Sequence, residues 1–468
     1  MATIIGSGPN GLSAAITLLS AGISTTVIER NERIGGACST AEVTLPEFRH
    51  DLGSSVFPMA VASPFFRSLP IDIPWIEPAA PCAHPLDDGT AVMLEHSIED
   101  TVANLDACDG RKYRSLLEPL ACSFGDLAED LLGPIQHIPK HPFLLARFVL
   151  SALLPGASLA RSRFLGVRAR ALFAGMAAHS VLSLEAPASA ATGLVLMAAG
   201  HTFGWPIVRG GAQTLTDVLV HHLESLDGRV ETCHEVIQLP ETDVVLADVT
   251  PRQFLRIAGS MLAPVYRRQL ERFRYGAGAF KVDYALSAPI PWTASECSRA
   301  ATVHLGGTLD EIVASERDFA SDAPFVLLVQ PSLFESTRAP AGRHIAWAYC
   351  HVPNGSAADR LGAIERQIER FAPGFRECIL ARSISPPAAL ESWNPNLVGG
   401  DLSAGQMDLR QLLFRPTASL YRTPVDGLFL CGASTPPGGG VHGMAGFHAA
   451  QAALRYLAQR ALKSGASQ

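Results

Sequence analysis

An α/β fold is predicted from three stretches of the chain. The opening residues read as strand, tight turn, helix, second strand and acid. Residues 265–395 alternate strands with helices. From Asp426 onward the chain reads as a strand, a glycine-rich loop and an alanine-rich helix.

The opening unit is the most specific of the three. An apolar run, Ala2 to Ile5, leads into Gly6-Ser7-Gly8-Pro9-Asn10-Gly11. The apolar stretch Leu12 to Ala21 follows and stops at Gly22. Thr25 to Ile28 then ends in Glu29, 18 residues past Gly11. In a G-x-G-x-x-G turn of this kind Gly6 allows the sharp bend, Gly8 lets a pyrophosphate approach the backbone, and Gly11 lets helix and strand pack closely. Free amides at the helix start face the phosphates, and the acid accepts from a ribose hydroxyl. The competing reading is an ordinary βαβ unit that binds nothing. The strand before, the helix after and the acid in place argue against it.

The totals narrow the class. With 468 residues, 48% hydrophobic and 17% charged, the chain can bury more than one core, and two domains are expected. A net charge of −7 gives no support to a nucleic-acid partner. Nine cysteines are scattered without a CxxC, so neither a redox dithiol nor a metal site is indicated. The start of the chain shows no basic, apolar secretory pattern, and no apolar run reaches about 18 residues. A cytoplasmic protein is therefore expected.

In the middle of the chain, residues 61–200 read as largely helical, with Ser97 capping a helix whose first turn holds Glu99 and Asp100. Strands are expected at Phe280–Leu286, Val326–Val329 and Ile345–Cys350, and an amphipathic helix at Leu361–Phe371. The span 131–184 holds six basic residues and no acid up to Leu184, around the apolar run Phe143–Leu154. It suits either a peripheral membrane contact or packing on its own protein or a second subunit, so a homo-oligomer stays open as well.

Gly35-Gly36, soon after Glu29, resembles the FAD-binding entry of the glutathione reductase-like flavoproteins. That resemblance implies non-covalent FAD as the dinucleotide, with Gly6, Gly8, Pro9, Asn10, Gly11, Glu29, Arg30, Gly35, Gly36 and Ala37 around it. Gly53 and Ser54 match a segment that passes beside the flavin in these proteins; the alternative is a plain polar turn. Gly204–Gly211, a helix and Gly228-Arg229-Val230 resemble the return to the FAD domain, with Val236 nearest to the expected cofactor contact. Relatives usually insert a β-hairpin next, whereas here Leu239-Pro240-Glu241-Thr242 leads almost directly to Val244.

At the C-terminal end, Trp393-Asn394-Pro395-Asn396, Phe414-Arg415-Pro416, Tyr421-Arg422-Thr423-Pro424 and Pro436-Pro437-Gly438-Gly439-Gly440-Val441-His442-Gly443-Met444-Ala445-Gly446 resemble the phytoene desaturase-related flavoproteins, on the branch of the carotenoid ketolase-like proteins. The resemblance places Gly432, Ala433, Ser434, Val441, His442 and Met444 against the flavin. It implies a discontinuous Rossmann-type FAD domain, 1–60, 205–262 and 396–468, and an inserted mixed α+β substrate domain, 61–204 and 263–395. The expected chemistry is hydride transfer between a C–H bond of a small lipophilic, polyene-like substrate and the flavin. The rivals are a flavin amine oxidase, which would want an aromatic cage from a chain only 7% aromatic, and a flavoprotein kept as a scaffold. Lys281 stands in an apolar strand, eight residues before Pro289, as a strand lysine near the flavin does in amine-oxidase relatives. Buried there, it would lose its charge and hold a water or exchange a proton; on the strand's wet face it would pair with a surface acid.

Overall fold

A computed structural model describes residues 1–134, 136 and 138–465. Five short strands form a parallel sheet in the order Leu428–Leu430, Val244–Ala247, Ala2–Ile5, Thr25–Ile28, Arg229–Glu231. The inner strands read ATII, TTVI and VVLA rather than alternating, as expected where helices or loops cover both faces of a sheet. The strand order turns about Ala2–Ile5: the chain runs first to one side of it, later to the other. The carboxyl ends of the strands at such a reversal open a crevice, the usual ligand position in open α/β sheets.

Helix Pro9–Ser20 starts directly after the opening strand and lies against the last helix, Met444–Gly465. Small side chains make the contact possible. Ala14, Ala15, Ala449, Ala450 and Ala453 are fully buried, and a Cβ added at Gly446 would fall 1.8 Å from the Asn10 carbonyl oxygen. The start of the chain and its end are thus locked together at the mouth of the crevice.

The second sheet has seven strands in the order Ile379–Ser385, Gly278–Leu286, His344–Val352, Val326–Val329, Ala300–Leu305, Ala80–Pro85, Ala91–Leu94. One face is apolar, with Phe280, Val282 and Tyr284 joining Ala346, Ala348 and helix Leu361–Phe371 in one core. Alternation sends Lys281, Asp283, Trp347, Tyr349 and His351 to the opposite face. The strands expected at 280–286, 326–329 and 345–350 are present, the first and last with added end residues. The Ser97 hydroxyl accepts from the Asp100 amide at 2.9 Å, as the capping pattern implied.

The stretch expected to be largely helical also contains two strands of this sheet, Ala80–Pro85 and Ala91–Leu94. Every residue in both is buried, so neither shows the polar alternation that marks a half-exposed strand, and Pro81 and Pro85 read locally as breakers. Pairing with Ala300–Leu305, more than two hundred residues away, supplies what local sequence does not.

In the basic span, helix Pro142–Ala152 turns apolar side chains outward: Phe143 is 91% exposed and Leu150 77%. Ile138, Leu153 and Leu154 are exposed near it. Several of the basic groups are engaged within the protein. Lys140 pairs with Glu129 and Arg161 with Asp310, at 2.8 and 2.7 Å. Arg168 and Arg170 donate to the carbonyls of Asn104 and Phe164. Residues 135 and 137 of this span lie outside the described residues. Among the described residues no single helix is long and apolar enough to cross a membrane, though Pro142–Ala152 and Gly156–Arg163, bent by 95°, pass that test as a pair.

Candidate dinucleotide site

The crevice at the carboxyl ends of the parallel strands is a cleft that runs from the opening turn to the glycine-rich C-terminal loop. Of the residues singled out by sequence, Gly6, Gly8, Pro9, Asn10, Glu29, Arg30, Gly36, Ala37, Ser54, Val236, Ala433 and Val441 line it. The turn itself is built as the spacing implied. A Cβ at Gly11 would lie 2.1 Å from the Gly6 carbonyl oxygen, so only glycine lets the helix start close on the turn. The helix has Pro9 in its first turn and no side-chain bond from its N-cap Gly8; the Gly11 amide donates to Asp248 at 2.9 Å, which leaves the Asn10 amide for an anion. The side-chain oxygen of Asn10 is buried in the cleft wall with no hydrogen-bond partner.

Glu29 is held from two sides. One oxygen accepts from the Ser7 amide at 3.0 Å and the Ser7 hydroxyl at 2.7 Å; the other accepts from the Asn31 amide at 2.9 Å. Carboxylate oxygens have further lone pairs, so the acid is fixed in orientation while still able to accept from a ligand hydroxyl. The Ser7 hydroxyl in turn accepts from the Gly35 amide at 3.0 Å, tying the Gly35-Gly36 pair to the turn. These features fit a dinucleotide: the Asn10 amide at the helix start and a glycine-built turn for phosphates, and an oriented acid for a ribose.

Gly11, Gly35, Gly53, Gly432, Ser434, His442 and Met444 stand behind the cleft wall rather than in it. Ser434 donates to the Ala404 carbonyl at 2.7 Å. His442 Nδ1 accepts from the Met444 amide at 3.1 Å, and its carbonyl accepts from Ser63 at 2.6 Å. Burial, with His448 adding, draws the His442 imidazole down to about 4, so it is neutral at pH 7. These residues shape the loop that closes the cleft.

Lys281 is neither on a wet face nor in the cleft wall. Its ammonium donates to both oxygens of buried Asp283, at 2.5 and 2.6 Å, and to the Asp51 carbonyl at 3.0 Å. It lies 5.5 Å from the centre of the Trp347 ring. The partner is thus a buried acid on the same strand rather than a surface one. The Asp51 carboxylate pairs with buried Arg338 at 2.9 Å. Four buried ionisable side chains, Lys281, Asp283, Asp51 and Arg338, therefore brace the chain just before Ser54.

Other cleft residues were not assigned to the cofactor from the sequence: Asp248, Gln253, Arg256, Asn394, Asn396, Leu402, Ala404 and His234. Asn396 stands in the sequence only as part of a family motif; its physical role is a latch. Its side chain accepts from the Thr250 amide at 2.9 Å, and Gln253 donates to the Pro395 carbonyl at 2.8 Å. The 394–397 segment thus clasps the loop that follows Val244–Ala247. Cys38 also lines the cleft, with its thiol raised to about 12, chiefly by burial and then by Asp51. All nine cysteines are unpaired, so the cleft holds no thiolate and no disulfide.

Comparison with known proteins agrees with this geometry. Residues 4–69 match the NAD(P)-binding Rossmann-like domain. Pyridine nucleotide-disulfide oxidoreductase domain-containing protein 2 of Mus musculus is 26% identical over 97% of this chain and 93% of its own length. The 1-hydroxycarotenoid 3,4-desaturase of a Flavobacterium species is 33% identical over a shorter stretch, 21% of each chain. Among solved structures, an oxidoreductase from Methanosarcina mazei superposes with a TM-score of 0.66 at 14% identity, over 97% of this chain and 99% of that one. These likenesses agree with a Rossmann-like dinucleotide-binding fold around the cleft. The chain carries a Rossmann-like dinucleotide-binding domain, and its homologues include pyridine nucleotide-disulfide oxidoreductase domain-containing protein 2 and carotenoid desaturases, which are oxidoreductases by name.

Proposed function

We propose that the protein oxidises or reduces a C–H bond of a small apolar, polyene- or isoprenoid-like molecule. The observation that carries this reading is the wall at the C-terminal end of the cleft. It is made of Leu402, Ala404, Ala433, Gly439, Gly440 and Val441, with no aromatic and no titratable side chain among them. Bound FAD supplies the hydride acceptor or donor. The chain then has three tasks: to anchor, to orient and to keep water out. Gly6, Gly8 and the amide of Asn10 are assigned to the pyrophosphate, and Glu29 to a ribose. The aliphatic wall presents a flat, dry surface to a planar ring. An aromatic cage, expected of an amine oxidase, has no counterpart among the residues lining the cleft. Further support comes from relatives named as a 1-hydroxycarotenoid 3,4-desaturase and a limonene dehydrogenase subunit.

An apolar substrate also gives a use to the exposed face of helix Pro142–Ala152. We assign that face to the surface of an anionic membrane, with Phe143 and Leu150 entering the headgroup boundary and Arg147 staying outside. The test of the chemistry is an anaerobic screen of the yellow holoprotein against carotenoid, terpene, amine and NAD(P)H donors, read at the flavin band. Bleaching by a polyene or terpene is expected. Bleaching by amines alone would replace the reading with an amine oxidase.

A further inference from the structure

Asp248 is the first residue after strand Val244–Ala247. The parallel register pairs Ile5 with Ala247, so Gly6 and Asp248 leave their strands side by side. One carboxyl oxygen, Oδ2, accepts from the Gly11 amide at 2.9 Å. Cβ atoms added at Gly8 and Gly432 would fall 2.7 and 3.0 Å from its two oxygens. The carboxyl group thus lies where the opening turn, the loop after Val244–Ala247 and the strand end at Gly432 converge, and it lines the cleft.

The groups around it do not neutralise a charge there. The Glu29 carboxyl group lies at the end of Thr25–Ile28, and buried Cys431 follows Leu428–Leu430. Arg30, Arg256, His234 and Glu235 line the same cleft, but among the described residues none forms an ion pair with Asp248; Arg30 lies 4.0 Å from Glu235 instead. Burial above all, with Glu29 adding and the Gly11 amide opposing, lifts the acid to about 7.

We propose that Asp248 is the proton-carrying member of the dinucleotide site: FAD binds to the form in which this carboxyl group is protonated, and binding takes up one proton from solvent. The inference rests on FAD occupying this cleft. A protonated carboxyl keeps one oxygen for the Gly11 amide and gains an O–H that can donate into the cleft. An ionised one sets a negative charge beside Glu29 and against two incoming phosphates. The sign follows from linkage. Bound phosphates raise the pKa of Asp248 further, so affinity is highest below about 7 and falls as pH rises above it, by up to about tenfold per pH unit.

The test is FAD affinity of the flavin-free protein between pH 6 and pH 8.5, followed by flavin fluorescence, with calorimetry in two buffers of different ionisation enthalpy to count protons. Wild type should bind on the order of tenfold more weakly at pH 8.5 than at pH 6 and take up close to one proton near pH 8. Asp248→Asn keeps the shape, the acceptor for Gly11 and a donor, and should lose most of that slope. Wild-type affinity that is flat with pH, with no proton uptake, overturns the proposal, as does an unchanged slope in Asp248→Asn. Both outcomes leave FAD binding intact. A protein that binds no FAD at any pH instead removes the cofactor reading, and this inference with it.

Discussion

Residues of two kinds meet at this site, and they differ in how visible they are in the sequence. Gly6, Gly8, Gly11 and Glu29 act through local backbone geometry and fixed spacing, so the residue pattern by itself discloses them. Asp248 is not disclosed that way. It ends the apolar run Val244-Val245-Leu246-Ala247 with no motif around it, and only the pairing of two strands 242 residues apart places it beside Gly6. Lys281 was visible as an anomaly, but its partner was not: Asp283, two residues on, lies on the same strand face, and the fold buries both. A buried pair of this kind predicts a stability effect. Lys281→Met leaves Asp283 buried without its cation and should cost about 3–5 kcal/mol, measured by urea unfolding of the flavin-bound protein. Replacing both residues with apolar ones should recover much of that loss. A single variant as stable as wild type would show that the pair does not carry this load. Flavin reduction at the wild-type rate in the surviving variant would confine Lys281 to bracing the Asp51–Ser54 segment.

At the level of elements, periodicity and caps served well wherever an element is defined by its own residues. Helix Leu361–Phe371 and strand Val326–Val329 have the bounds that the sequence suggested. Elements defined by their partners were the ones missed, Ala80–Pro85 most clearly. The contact of helix Pro9–Ser20 with helix Met444–Gly465 lies between these cases. The alanine and glycine content of both helices was legible, but their meeting was not. That contact carries a prediction. Gly446→Val forces a side chain into the Asn10 carbonyl, 1.8 Å from where its Cβ would stand. Helix Pro9–Ser20 must shift, and the turn that Asn10 belongs to shifts with it. Overpacking of this kind costs about 1–3 kcal/mol or more. The variant should melt lower and should also lose FAD more readily on dilution, because Asn10 lines the cleft. Destabilisation without any change in FAD retention would mean that the turn is insulated from the helix contact.

Over the whole molecule, the parallel sheet draws its strands from residues near 2–28, 229–247 and 428–430, while the seven-stranded sheet draws on 80–94 and 278–385. The cleft forms where the first sheet's strand order reverses, closed by segments from both ends of the chain. The exposed helix Pro142–Ala152 takes no part in that closure, and its outward residues are the least expected feature of the surface. Phe143 and Leu150, seven residues apart, stand on one face, and leaving both in water is unfavourable by roughly 1.5–3 kcal/mol each relative to full burial. An anionic bilayer would take up that face and attract the basic residues of the span. Because Lys140 and Arg161 are already paired, the electrostatic part should be weak and the apolar part dominant. The full-length protein should therefore sediment with phosphatidylserine-containing vesicles at low salt. Raising the salt should reduce that binding without abolishing it, since charge is screened over about 8 Å at physiological ionic strength while burial of Phe143 and Leu150 is not. Phe143→Ser together with Leu150→Ser should release the protein at every salt concentration. Wild-type protein that stays in the supernatant at low salt, or a double variant that binds as well as wild type, would exclude this face as the membrane contact. A concentration-dependent dimer lost in the same double variant would give the face to a second copy of the chain.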